Sequence, residues 1–340
     1  MPGPWSRQLV VTVSVEPDDP AVVGRSGAYR SLDGLERFHG LCRRYGVRPT
    51  YLLTYSAASE PRCAAFARAC KDEAEFGAHL HPEEVPPVAE GERGNHTLRP
   101  SAVEPSRLRE KLANLVERVA EAAGRRPTSY RAGFFDLTPA QAAALVELGV
   151  EADSSLGPLE KVGGTYPFLR VPFEPHIVDP TDLFHNTKRE TRNAELRSLV
   201  EVPLTSVFRR PFPKPLFGVY FGMPGAVRGA LRTLGIAEVL RFRPATASGE
   251  GLLAVCRRTE RMGIPAVMTV HSNELWPSTS AGSHLHLALG GEVRNEDVTP
   301  EGACVAYFGR LEQVFAHCRE RDWSCRTLTE VARAVRGNAE

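Results

Sequence analysis

The chain has no apolar run long enough to cross a bilayer, and its first residues, Met-Pro-Gly-Pro-Trp-Ser-Arg, lack the apolar core of a secretion signal. A cytoplasmic address is expected on that basis. Charge of one sign is also missing: 42 Lys and Arg face 41 Asp and Glu, a formal net charge of +1 over 340 residues. No global field then draws in a polyanion, and neither a nucleic acid nor a membrane is expected as a partner. The seven cysteines (Cys42, Cys63, Cys70, Cys256, Cys304, Cys318, Cys325) contain no Cys-x-x-Cys pair. An odd, unpatterned set in a cytosolic chain reads as reduced, mostly buried thiols. No Pro/Gly/Ser linker divides the chain and no internal repeat is visible, so residues 1–340 are expected to form a single domain.

What is present is a regular alternation of short β-branched runs with helical ones. Leu9–Asp19 is an apolar run that stops in a cluster of carboxylates, and it reads as a buried strand with Glu16, Asp18 and Asp19 at its end. Further strands are expected at Pro49–Tyr55, Glu75–Leu80, Ser129–Phe134, Val150–Ser154, Ser198–Phe208 and Ile264–His271. Between them Leu32, Leu35, Phe38, Leu41 and Cys42, then Leu108, Leu112, Leu115, Val116 and Val119, recur at helical spacing. Thr138-Pro139-Ala140-Gln141 carries an N-cap, a first-turn proline and a capping-box glutamine. Helical patterns also cover Ala226–Leu240, Gly251–Met262 and Val305–Cys318, and Thr327 and Glu330 form a capping box for a last helix. Residues 157–197 read as a loop-rich insertion, and Trp276–Thr299 as a long Ser/Gly-rich connection. Repeated strand–helix units of this length imply an α/β fold with a parallel sheet or barrel and helices outside.

Chemistry-bearing residues gather at the strand ends: Glu16 after the first, His79 and His81 at the third, Arg131 at the fourth and His271 at the late strand. In a parallel barrel such ends share one face. Two imidazoles and one carboxylate make a ligand set suited to zinc with a position left open for water, and a bend at Pro82 is expected to bring both rings to the same side.

The ordered series Val-Thr-Val-Ser-Val-Glu-Pro-Asp-Asp, Thr50-Tyr51-Leu52, Gly77-Ala78-His79-Leu80-His81-Pro82, Tyr130-Arg131-Ala132-Gly133, Asp153-Ser154-Ser155, Glu201-Val202-Pro203 and Met268-Thr269-Val270-His271-Ser272 resembles the NodB-type polysaccharide deacetylases, carbohydrate esterase family four, in their cytoplasmic, signal-less branch. The resemblance runs over nearly the whole chain. It implies a distorted (β/α) barrel of about seven parallel strands with loop insertions, and a divalent metal, usually zinc, held by one carboxylate and two histidines. The reaction it implies is hydrolysis of an N-acetyl group on an amino sugar, a non-peptide C–N bond. Glu16 matches the family's metal carboxylate and His79 its first metal histidine. His81 stands for the second, although the His-x-x-x-His spacing of many members would place Glu83 there. Arg131 resembles the arginine that orients the catalytic base, His271 the general acid in its imidazolium form, and Asp153 the carboxylate that tunes it. Asp18, Phe134 and Trp276 are candidates for substrate contact.

The departure is Ser14, which stands where the family has the aspartate that acts as base. A serine hydroxyl has no useful basicity near neutral pH. Three outcomes stay open: a hydrolase using another acid such as Asp18 or Asp19, altered chemistry on the same metal scaffold, or binding without turnover. A cytoplasmic address favours a small N-acylated, sugar-derived substrate or biosynthetic intermediate over mature cell-wall polymer.

Overall fold

In the computed structural model of the protein, which describes residues 3–17, 29, 31–160, 167–179, 182–186, 198–276 and 300–337, the opening apolar run is β1 (Gln8–Val15), buried along its whole length. β2 (Thr50–Leu53), β3 (Glu75–Leu80), β4 (Ser129–Ala132) and β5 (Ala152–Asp153) follow on one side, each parallel to its predecessor. In the insertion, β6 (His176–Asp179) and β7 (Asp182–Asn186) pair antiparallel, and β6 runs antiparallel to β8 (Val200–Glu201), itself parallel to β5. β9 (Ser206–Phe208) and β10 (Val239–Arg241) make a separate antiparallel pair. β11 (Ala266–His271) returns parallel to β1 on its other flank, with Ser14 level with His271, and β12 (Ser324–Cys325) extends the start of β1. The order β11-β1-β2-β3-β4-β5-β8 is thus a run of seven parallel strands.

Single residues close the seam between β8 and β11. The Thr205 amide donates to the Val267 carbonyl at 3.2 Å, the Phe242 amide to the Thr205 carbonyl at 2.9 Å, and the Thr269 amide to the Phe242 carbonyl at 3.1 Å. The Val267 amide donates to the Thr205 hydroxyl at 2.8 Å. A curled sheet with its open edges joined this way is the distorted barrel expected from the motifs. The strand expected over Ser198–Phe208 is broken here, because Pro203 cannot donate to a ladder, the Leu204 amide turns to the Leu156 carbonyl and Thr205 crosses to β11. The helical pattern over Ala226–Leu240 also stops early: Gly235 takes φ +66°, a left-handed stop, and the chain enters β10.

The helices are α1 (Ser31–Tyr45), α2 (Tyr55–Ser59), α3 (Pro61–Ala69), α4 (Pro105–Ala123), α5 (Pro139–Glu147), α6 (Phe217–Gly222), α7 (Gly225–Thr233), α8 (Gly249–Met262), α9 (Pro300–Glu320) and α10 (Leu328–Gly337). Thr138 caps α5 by accepting from the Gln141 amide at 3.2 Å. The Glu330 carboxylate accepts from the Thr327 amide at 2.9 Å, completing the box that starts α10.

Side chains alternate across each strand, and the two faces meet different cores. Val11, Val13 and Val15, Phe76, Ala78 and Leu80, and Met268 and Val270 pack under the helices with Leu35, Phe38, Leu112 and Phe315. Val10, Leu52, Ala152, Val200 and Val267 point into the barrel, where Leu328, Val331 and Ala332 of α10 join them. Parity then carries Thr12, Ser14 and Glu16, His79 and His81, Arg131, and Thr269 and His271 onto the inner face. All seven cysteines are free thiols, and only Cys325 is not buried.

Candidate metal centre

Glu16 leaves β1 with its amide donating to the Ser272 hydroxyl at 3.0 Å, and that hydroxyl donates back to the Glu16 carbonyl at 3.1 Å. This doubly fastened backbone aims the carboxylate at the inner face of β3. His79 Nε2 lies 2.9 Å from Glu16 Oε1 and His81 Nε2 lies 3.6 Å from the same oxygen. One ligand atom from each of the three residues lies within 4.8 Å of the others. No bend is needed to bring the two rings together, because strand side chains two apart share a face. The rings meet edge to face at 4.9 Å.

Hydrogen bonding decides which nitrogen faces the centre. The Arg131 carbonyl only accepts, so His79 Nδ1 donates to it at 3.1 Å and leaves Nε2 as the free lone pair of the neutral ring. Burial pushes the His79 pKa down to about 4, against the pull of Glu16, so the ring is neutral at pH 7. The Glu16 carboxyl is lowered well below its ordinary value: burial would raise it, but the adjoining His79, His81 and His271 side chains prevail. An ionised carboxylate and a neutral imidazole lone pair therefore stand 2.9 Å apart. Two acceptors at that distance fit a shared cation, and the N/O donor set suits zinc.

His81 is turned by a group the sequence reading weighed only as a replacement for it. Glu83, with 1% of its side chain exposed, places Oε1 3.6 Å from His81 Nδ1 and 3.9 Å from His96 Nδ1. A carboxylate behind a ligand imidazole fixes the ring and raises its basicity. Burial lowers the His81 pKa, but Glu16 and Glu83 outweigh it and raise it well above the usual histidine value. The loop that carries Glu83 is held from below by Lys111, a fully buried α4 residue whose Nζ donates to the Pro82 and Val85 carbonyls at 2.9 and 2.6 Å.

Arg131 is fully buried on the inner face. Its Nε donates to the Ser154 carbonyl at 2.8 Å, and its terminal nitrogens donate to Thr12 Oγ1 at 2.8 Å, Ser14 Oγ at 3.2 Å and Ser154 Oγ at 3.3 Å. Burial lowers its pKa to about 10, while Asp153, Glu201 and Glu16 act to raise it. The partner it finds at position 14 is a hydroxyl, with no charge to offer.

His271 sits across the centre, its Nε2 3.9 Å from Glu16 Oε1. Its Nδ1 lies 3.2 Å from an Arg243 terminal nitrogen and 3.5 Å from Glu274 Oε1, which leaves Nε2 turned to the centre. Beside it lies Glu274, which accepts from Arg243 at 2.8 Å, from the Tyr307 hydroxyl at 2.7 Å and from the His271 amide at 3.1 Å. Burial would raise the Glu274 pKa, yet Arg243 and His271 hold it far below the carboxylate range. Asp153 does not play this part. It is level with Glu201, on the sheet face opposite Ala152 and Val200, and accepts from Ser155 Oγ at 2.7 Å. Strand alternation turns it away from the barrel interior.

A cavity of about 220 Å³ opens over these groups, lined by Ser14, Glu16, His79, His81, Arg131 and His271, with Glu83, Glu84 and His96 at one side and Phe134 and Phe135 at the other. The two phenylalanines occupy φ +56° and +57°, a left-handed conformation rare for bulky residues. Gly133 makes the turn possible, since a Cβ there would lie 2.3 Å from the Leu80 carbonyl. The strained turn sets Phe134 against His81 at 5.6 Å between centroids. Trp276 is half-buried and is not among the side chains that line this cavity. Asp18, Asp19, His284 and His286 lie outside the described residues.

No protein-family model and no curated protein matches the chain. Among solved structures, a Mycobacterium smegmatis protein described as a polysaccharide deacetylase aligns over 96% of this chain and 94% of its own, with 20% identity and a TM-score of 0.49. A probable polysaccharide deacetylase from Pseudomonas aeruginosa PAO1 aligns over 96% and 90%, with 12% identity and a TM-score of 0.49. A family 4 carbohydrate esterase from Streptomyces lividans in complex with acetate aligns over 92% and 89%, with 11% identity and a TM-score of 0.41. Over nearly its whole length the chain is similar in structure to polysaccharide deacetylases and to a family 4 carbohydrate esterase.

Proposed function

We propose that the protein is a metal-dependent hydrolase that removes an acyl group, acetyl in the simplest case, from the nitrogen of a small, sugar-derived substrate. The observation that carries this reading is the approach of Glu16 and the His79 lone pair, two acceptors 2.9 Å apart with His81 beside them. Glu16, His79 and His81 would hold a divalent cation, with zinc the ion their chemistry suits. When bound, such an ion supplies Lewis-acid polarisation of a carbonyl and a water of lowered pKa.

The chain's own groups supply the rest. Glu83 keeps Nε2 of His81 turned to the centre. His271 turns Nε2 to the centre on the opposite side and, in its imidazolium form, can hand that proton to a departing nitrogen and return to the neutral ring, while Arg243 and Glu274 hold it in place. Phe134 and Phe135 offer an apolar wall for one face of a sugar ring. Ser14 leaves Arg131 without a carboxylate to orient, so turnover is expected to be slow. That same position favours a second reading, a ligand-binding barrel with little turnover.

Metal content and acetate release from N-acetyl amino sugars test the proposal on the purified protein and on His79→Ala and His81→Ala. Near-stoichiometric zinc and metal-dependent acetate, both lost in either variant, are expected. Failure to take up any divalent ion would overturn the hydrolase reading, and zinc uptake without acetate release would move the function to the binding reading.

A further inference from the structure

The balanced net charge conceals a local segregation. From Arg209 to Ala237 the chain carries Arg209, Arg210, Lys214, Arg228 and Arg232 and no Asp or Glu. The same segment concentrates exposed apolar surface. Leu216, Val219, Val227, Leu234 and Ile236 are 46%, 57%, 43%, 70% and 55% exposed, and the one other large apolar side chain exposed to this degree among the described residues is Val305.

The segment is built to stand out from the barrel. It joins β9 to β10, and its base is anchored by a satellite aromatic core in which Phe208, Phe217, Tyr220 and Ala237 are buried together. Above that core, α7 has no buried residue at all. Val227, Leu231 and Leu234 recur at i, i+4 and i+7, with Arg228 and Arg232 on the adjoining line. Leu231 touches the aromatic core, while Val227 and Leu234 face outward. An amphipathic helix whose apolar stripe stays in water lacks the burial that normally stabilises it.

We propose that residues 209–237 form a docking surface for an anionic lipid bilayer, independent of the reaction assigned to the metal centre. Arg209 is held by Glu238 and Glu250 at the base, and the exposed aliphatics above it are flanked by Arg210, Lys214 and Arg232, a pairing complementary to an apolar phase under a negative headgroup layer. A nucleic acid would meet the cations but offer the leucine, valine and isoleucine side chains no apolar medium. A second copy of the chain would place Arg210, Lys214 and Arg232 near their own counterparts across a two-fold axis, like charge against like.

Flotation of the full-length protein with phosphatidylcholine vesicles and with vesicles containing phosphatidylglycerol tests this. Binding is expected to the anionic vesicles, to weaken with salt, and to be lost in the double variant Leu234→Glu, Ile236→Glu. In Arg210→Ala, Arg232→Ala it should fall by roughly 30-fold, since each basic residue near such a surface contributes a factor of about five. Circular dichroism and zinc content unchanged from the parent show that the variants fold. No binding to anionic vesicles by the parent protein, or binding unaffected in both variants, overturns the proposal. So does a parent dimer that Leu234→Glu, Ile236→Glu converts to monomer without any vesicle binding.

Discussion

Ser14→Asp is the substitution on which the catalytic reading turns. Ser14 sits on the inner face of β1, level with His271, and its Oγ accepts from an Arg131 terminal nitrogen at 3.2 Å. A carboxylate there would reach the same guanidinium, now bonded to hydroxyls and a carbonyl, and the cavity of about 220 Å³ that Ser14 lines has room for the added atoms. The Arg131 charge favours the ionised form, while Glu16, two residues on and on the same face, opposes it, leaving a base with some affinity for a proton. A positioned general base contributes on the order of 10²–10⁴ in rate, equivalent to about 3–5 kcal/mol of barrier. With zinc saturating, kcat for acetate release is expected to rise by at least about 100-fold in Ser14→Asp and to stay at the parent level in Ser14→Asn, which matches its size without its basicity. A folded, zinc-loaded Ser14→Asp protein with unchanged kcat would refute the reasoning, as would an equal gain in Ser14→Asn.

Other consequences follow from the same geometry. Glu274→Gln removes the charge that gathers Arg243, Tyr307 and the His271 amide, so kcat should fall by roughly tenfold or more with zinc content unaltered; equal kcat would remove Glu274 from the positioning of His271. Burial and the neighbouring Asp153 raise the Glu201 pKa well above the carboxylate range, and Asp153 is raised by its own burial. A raised carboxyl binds its proton more tightly when folded, so its stabilisation is complete below the unfolded value of about 4 and is lost as pH rises through the folded one. Glu201→Gln should therefore gain in melting temperature relative to the parent between pH 5 and pH 8, and an equal pH profile for the two proteins would contradict the assignment. Zinc at a hundredfold excess over its Kd should stabilise the parent by about 2.7 kcal/mol, an effect a chelator reverses and His79→Ala abolishes in thermal melts.

The sequence by itself determined what depends on local period. Apolar runs of β-branched residues read as buried strands, and their order placed Glu16, His79, His81, Arg131 and His271 at strand ends that share one end of a barrel, although the bend expected at Pro82 proved unnecessary because residues two apart on a strand share a face. The ordered motifs likewise carried the barrel of seven parallel strands. Tertiary structure decided who stands behind each of those residues, because partners arrive from distant parts of the chain. Nothing in the sequence links Arg243 and Tyr307 to His271, yet both converge on Glu274. Glu83 reads as a rival to His81 for the ligand position until its loop, fastened by Lys111, sets it behind that ring, and Asp153 reads as a site residue until the register of β5 with β8 turns it to the other face. Closure at Thr205 and Phe242 rests on single bonds that leave no periodic trace. The basic, acid-free stretch from Arg209 is plain in the residues, but only folding shows that its leucines and valines stay outside, since burial belongs to the assembled chain and not to the segment.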